Sequence, residues 1–178
     1  MKKTIAFAAV ASLFFFTACS KSADSSDSTA EATATEEHAD HEEEADDVAS
    51  ADNTVLEITL SGGDDMKFDQ STLKATAGQT VRLTLVHSGK LPKASMGHNF
   101  VLLKNGVNET DFATKALAAK DTDYIPAGSE GDIIAHTDLI GGGESTTIEF
   151  TAPERGAYTY ICTFPGHSAL MKGKLMVQ

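Results

Sequence analysis

Ten residues near the C-terminus, Cys162-Thr163-Phe164-Pro165-Gly166-His167-Ser168-Ala169-Leu170-Met171, place a thiol, an imidazole and a thioether in one short stretch. The proline and glycine between them suit a tight loop rather than a strand or helix. Sulfur and imidazole donors select copper over magnesium or calcium, and two histidines with one cysteine and a long axial methionine make an electron-transfer copper site. Taken singly, each residue has a plainer reading, since a lone cysteine is often a small buried hydrophobe and a methionine beside a strand is usually core packing. Their convergence as Cys-x4-His-x3-Met is what points to a metal, and it calls for a second histidine.

His98 has the most telling context for that role, Met96-Gly97-His98-Asn99-Phe100, just ahead of an apolar run. A glycine there permits close backbone approach. In a sandwich, a loop at the end of an early strand can meet the Cys162 loop, giving His98, Cys162 and His167 as a trigonal set with Met171 axial.

The elements that must hold these residues are strands. Leu56, Ile58 and Leu60 alternate with polar residues, as do Leu73 and Ala75, and then Val81, Leu83 and Leu85. Phe100 to Leu103 is continuously apolar, consistent with a strand buried on both faces. Asp132 to His136, Ser145 to Phe150, Ala157 to Ile161 and Gly173 to Val177 complete about eight strands, separated by turn clusters such as Gly141-Gly142-Gly143. One exception interrupts them: residues 111 to 120 are rich in helix formers, with Phe112, Ala116 and Ala119 at helical spacing. The expectation is an all-β sandwich with one short helical insertion.

Residues 1–18 look different. Lys2 and Lys3 precede an apolar run through Phe16 that closes on Thr17-Ala18, the pattern of a secretory signal too short to span a bilayer comfortably. Phe16-Thr17-Ala18-Cys19 resembles a bacterial lipobox, in which Cys19 is lipid-modified and becomes the mature N-terminus. Leucine is usual where Phe16 stands, which leaves ordinary cleavage with a free Cys19 as the alternative. Ser20, where an Asp would retain a lipoprotein in the inner membrane, implies outer-membrane delivery in a Gram-negative cell, with the protein facing the periplasm.

Residues 19–54 hold twelve Asp and Glu against one Lys and almost nothing apolar, so they are expected to form a disordered, self-repelling linker with a reach on the order of 50 Å. His38 and His41 within it are open to two readings, a weak metal site or a solvated acidic run. Residues 55–178 form the folded domain, with 11 basic and 14 acidic residues. No basic stripe of the kind that binds nucleic acid is present in the sequence. With Cys19 lipidated, Cys162 has no disulfide partner in an oxidising compartment, and metal coordination explains an unpaired exported thiol.

Three segments, His87 to Asn99, Ala135 to Gly141 and Cys162 to Met171, resemble those of the azurins in azurin order. Azurins are blue copper proteins with a cupredoxin-like Greek-key β-sandwich, and the resemblance covers about Leu56 to Val177. It implies one type 1 copper held by His98, Cys162 and His167, with Met171 and the Gly97 carbonyl as weak axial partners. It also implies that Asn99 and the backbone near Phe164 support the Cys162 sulfur. By the same resemblance His87 lies near the site without binding copper, and His136 is a surface residue with no assigned role. The disulfide that azurins usually carry at the far end has no counterpart in Ala75 to Thr80, and Phe100 stands where a tryptophan often follows.

The resemblance further implies that His167 is the ligand nearest solvent, ringed by Leu91, Met96, Phe164, Pro165 and Leu170. An exposed apolar patch with a polar rim marks a docking surface. The expected function is one-electron transfer through Cu(II)/Cu(I) cycling, with redox proteins such as c-type cytochromes or a copper- or haem-containing reductase as partners. The alternative is periplasmic copper scavenging or delivery. An enzyme is not expected, because a second copper centre needs more histidines than the six in the chain.

Overall fold

The computed structural model describes residues 54–178, so the signal segment, Cys19, Ser20 and the acidic stretch with His38 and His41 lie outside the described residues. Eight strands form two sheets: β1 (Leu56–Gly62), β3 (Thr80–His87) and β6 (Ser145–Thr151) in one, and β2 (Thr72–Ala75), β8 (Lys172–Val177), β7 (Gly156–Ile161), β4 (Val101–Leu103) and β5 (Ile133–His136), in that spatial order, in the other. β1 runs parallel to β3, with Leu56 beside Val81 at one pole and Gly62 beside His87 at the other. β3 runs antiparallel to β6, and β7 to β8, while β2 joins β8 in parallel.

Period-two patterning decides which side of each strand is covered. In β3, Val81, Leu83 and Leu85 are fully buried and face Leu73, Phe100, Leu102, Tyr160 and Leu175 from the second sheet. The apolar run in β4 is buried on both faces, as its lack of alternation requires. Leu102 enters the core between the sheets, whereas Val101 and Leu103 pack outward against Phe112 and Ile161.

Phe112 comes from α2 (Glu109–Ala116), which covers that outer face. Its N-cap is Asn108, whose side-chain oxygen accepts from the Thr110 and Asp111 amides at 2.9 and 3.1 Å. Such a cap stabilises a helix by about 1 kcal/mol. The helix therefore starts two residues earlier than expected, and it ends at Ala116 rather than near Lys120. Ala119 instead accepts from Thr122 and Tyr124 in a 3-10 turn over Lys120–Thr122. A second helical turn, α1 (Lys93–Met96), was not expected at all. It buries no residue and so shows no apolar periodicity; the Pro92 carbonyl holds it by accepting from the Ser95 and Met96 amides. Among the described residues, no helix is long and apolar enough to cross a membrane.

The far pole lacks a disulfide, and backbone bonds close it instead. The Ala77 amide donates to Gln178 and that of Gly78 to Ala152, both at 3.0 Å.

Candidate metal centre

The donor atoms of His98, Cys162 and His167 all lie within 4.8 Å of one another, and all three residues are buried. Three different pieces of backbone bring them together. His98 leaves α1 through Gly97 and is pinned to the 137–140 segment by an exchange of amide bonds with Ile140 at 2.9 Å each way. Cys162 directly follows β7, and its amide donates to the Met171 carbonyl at 2.9 Å, so the loop bites its own far end. Within that loop the His167 amide donates to Phe164 and the Met171 amide to His167, with Gly166 taking the positive φ of 83° that the turn needs.

Hydrogen bonds fix the His98 ring. Its Nε2 lies 2.8 Å from the Gly63 carbonyl and its Nδ1 3.0 Å from that of Gly97, so both ring nitrogens face backbone oxygens that hold the ring in one orientation. His167 Nδ1 lies 3.6 Å from Cys162 Sγ, and the Gly97 oxygen lies 3.8 Å from the same sulfur. Met171 is fully buried beside Cys162, packed so closely over Gly62 that a Cβ there would collide with the thioether methyl.

The electrostatics suit a soft cation. Burial pushes the Cys162 thiol up to about 12, although the amides of Asn99 and Phe164 donate to the sulfur and oppose the shift. His167 is pushed down to about 4 by burial and then by the charges of His98 and His87, and His98 is pushed down chiefly by burial. Both imidazoles are therefore neutral ligands at neutral pH, and the thiol waits for a cation to displace its proton. Two neutral imidazoles, a free buried thiol and a buried thioether are a donor set that fits copper.

Asn99 links the two ligand-bearing segments. Its Oδ1 accepts from the Thr163 amide and its Nδ2 donates to the Thr163 hydroxyl, both at 2.8 Å. His87, fully buried, lies against His98. Of the residues expected to ring His167, Leu91 and Leu170 are 42% and 58% exposed, Pro165 is exposed and Met96 half-buried, while Phe164 is buried with its ring 4.7 Å from the His167 imidazole. His167 itself is 2% exposed against 0% for His98, Cys162 and Met171, so only its edge reaches the surface. His136 lies on the surface, away from the donor atoms.

Three contributors gave no signal in the sequence. Gly62 and Gly63 carry no side-chain donor, yet one seats Met171 and the other orients His98. Leu139 closes over Gly97, where a Cβ would come within 2.9 Å of its side chain.

The profile of copper binding proteins of the plastocyanin/azurin family matches residues 54–178. Azurin from Bordetella pertussis is 38% identical over 122 residues, covering 66% of this chain and 81% of its own. Outer membrane protein H.8 of Neisseria meningitidis serogroup B is 41% identical over 121 residues, 66% of this chain and 64% of that protein. Auracyanin A of Chloroflexus aurantiacus, a "blue" copper protein, aligns in structure with a TM-score of 0.64 at 37% identity, over 70% of this chain and 100% of its own.

Proposed function

The chain belongs to the plastocyanin/azurin family of copper-binding proteins, and from that premise we propose that it is a one-electron carrier held on the periplasmic side of an outer membrane. Bound copper supplies the Cu(II)/Cu(I) couple. His98, Cys162 and His167 would hold it, with Met171 and the Gly97 carbonyl as weaker contacts. The protein's part is to keep these groups still: each sits in a hydrogen-bonded loop or a packed core, so a change of charge meets little rearrangement.

The observation that carries this reading is the position of His167. A ligand whose edge alone reaches solvent, on the same loop as exposed Pro165 and Leu170, gives an electron a short way out while water stays away from the sulfur. Apolar, small contacts suit partners that dock and leave quickly, such as a c-type cytochrome or a copper- or haem-containing reductase. Four ligand residues that are almost wholly buried favour retention of the metal over its release, so the carrier reading stands ahead of copper delivery. The family's members are electron carriers, and this reading assigns the chain no turnover of a substrate.

The lipobox-like Cys19 and the relative named as an outer membrane protein support anchoring by lipid. Two acyl chains or more hold a protein stably on a bilayer.

Leu170→Lys tests the carrier role. It is expected to slow electron exchange with a small c-type cytochrome several-fold while the visible spectrum stays unchanged. Normal exchange would place docking elsewhere, and rapid loss of Cu(I) from the wild-type protein to a chelator would favour delivery.

A further inference from the structure

Asp123 stands outside the donor set and has a backbone that few residues adopt. It follows the 3-10 turn in the left-handed region, at φ 53° and ψ 34°, and Tyr124 after it is also left-handed at φ 63°. Two successive residues of this kind, neither a glycine, are costly for L-amino acids, and aspartate is among the few side chains that tolerate the region. Strain of this sort persists only where surrounding contacts enforce it, and it gathers at functional sites.

The contacts here are specific. The left-handed turn aims the Asp123 carbonyl at Asn99, whose Nδ2 donates to it at 3.0 Å. It aims the carboxylate the other way, where Oδ2 accepts from the Leu139 amide at 3.3 Å and Oδ1 lies 3.1 Å from Lys93 Nζ. These three partners flank the first ligand on both sides. Lys93 and Leu139 wall in Gly97, since a Cβ there would come within 2.7 Å of the Lys93 oxygen and 2.9 Å of Leu139. Asn99 is the residue after His98, and its side chain holds Thr163, the residue after Cys162. Tyr124 extends the brace by packing edge-on against Phe164 at 5.2 Å between centroids.

We propose that Asp123 is a positioning residue that fixes the Gly97 carbonyl and the Asn99 side chain relative to Cys162 Sγ, and through them sets the reduction potential of the copper centre. It touches neither metal nor sulfur. Its carbonyl completes the bonding of the Asn99 side-chain amide, which keeps the Asn99 backbone amide directed at the sulfur. Donation to the sulfur draws negative charge from it and favours Cu(I), so loosening that bond favours Cu(II). The proposal rests on the copper reading above, and half of its test needs no copper.

Asp123→Ala and Asp123→Asn are compared. Asparagine tolerates the left-handed backbone and keeps an acceptor for Leu139, so it removes the charge and the Lys93 ion pair but leaves the bonds to Asn99 and Leu139. In the copper-free protein, amide hydrogen exchange at Thr163 is expected to quicken on the order of tenfold in D123A, relative to the amides of β3, and to stay near wild type in D123N. In the copper-loaded protein D123A is expected to lower the potential. Loss of a carboxylate charge alone raises it, so a rise shared equally by D123A and D123N, with Thr163 still protected, overturns the proposal. Should D123A fail to fold, Asp123→Gly keeps the backbone and removes only the carboxylate. The Leu139 amide must then exchange faster while Thr163 stays protected; no change at Leu139 overturns the proposal. The thiolate-to-copper colour persists in every variant if the copper reading holds, which separates the two failures.

Discussion

The imidazole of His87 lies flat on that of His98, with ring centroids 4.2 Å apart and planes 13° from parallel. The same ring accepts from the Gly89 amide through Nδ1 at 3.1 Å and donates from Nε2 to the Met96 carbonyl at 2.7 Å. Those two bonds fix the orientation of the ring. His87→Phe keeps a flat face for His98 but strands both backbone groups, and a buried group without a partner costs about 1–3 kcal/mol. Urea unfolding of the copper-free variant should show a loss in that range, with copper still bound on reconstitution. Unaltered stability would mean that the two bonds contribute nothing.

Cys162→Ser replaces the one soft anionic donor with a hydroxyl. The intense visible band from thiolate to copper should vanish, measured on protein loaded with one equivalent of Cu(II). Colour that survives would remove Cys162 from the site.

Met171→Gln exchanges a thioether for an oxygen donor, which favours Cu(II). Voltammetry should show a lower potential; each tenfold gain in preference for Cu(II) lowers a one-electron couple by about 59 mV. An unmoved potential would leave Met171 as core packing alone.

Copper uptake should release about one proton per ion near neutral pH, because the Cys162 thiol is protonated and both imidazoles are already neutral. Unbuffered titration of the copper-free protein measures this directly.

The same histidines govern stability against acid. His167 is pushed from 6.5 down to about 4 in the folded chain, so between those values the unfolded chain binds more protons. Stability of the copper-free protein is complete above about pH 6.5 and falls as pH drops toward 4. Melting temperatures across that window should decline, and His167→Phe, which has nothing to titrate, should flatten the decline.

Much of this architecture is legible in the sequence. β3 alternates cleanly because only one side of it meets the core, and β4 does not alternate because Phe112 covers its second side. The Cys162 loop was readable because its donor types are rare in combination and its bounds are marked by proline and glycine. Other parts rest on contacts that leave no local trace. α1 buries nothing, and Asn108 caps α2 from a position that composition alone does not mark. The left-handed pair Asp123-Tyr124 carries no glycine to advertise it; its conformation is enforced by Asn99, Leu139 and Lys93, which are distant in sequence. Pairing order has the same origin, since nothing in β1 itself specifies that it runs parallel to β3.

The direction of β1 has a mechanical consequence. Thr54, whose carbonyl accepts from Gln79 Nε2, enters at the pole where Leu56 meets Val81, and the strand reaches the copper end only at Gly62, roughly 20 Å further on. A pull on the backbone at Thr54 would therefore reach the Gly62 end, where Met171 and His98 pack, only through the whole length of β1.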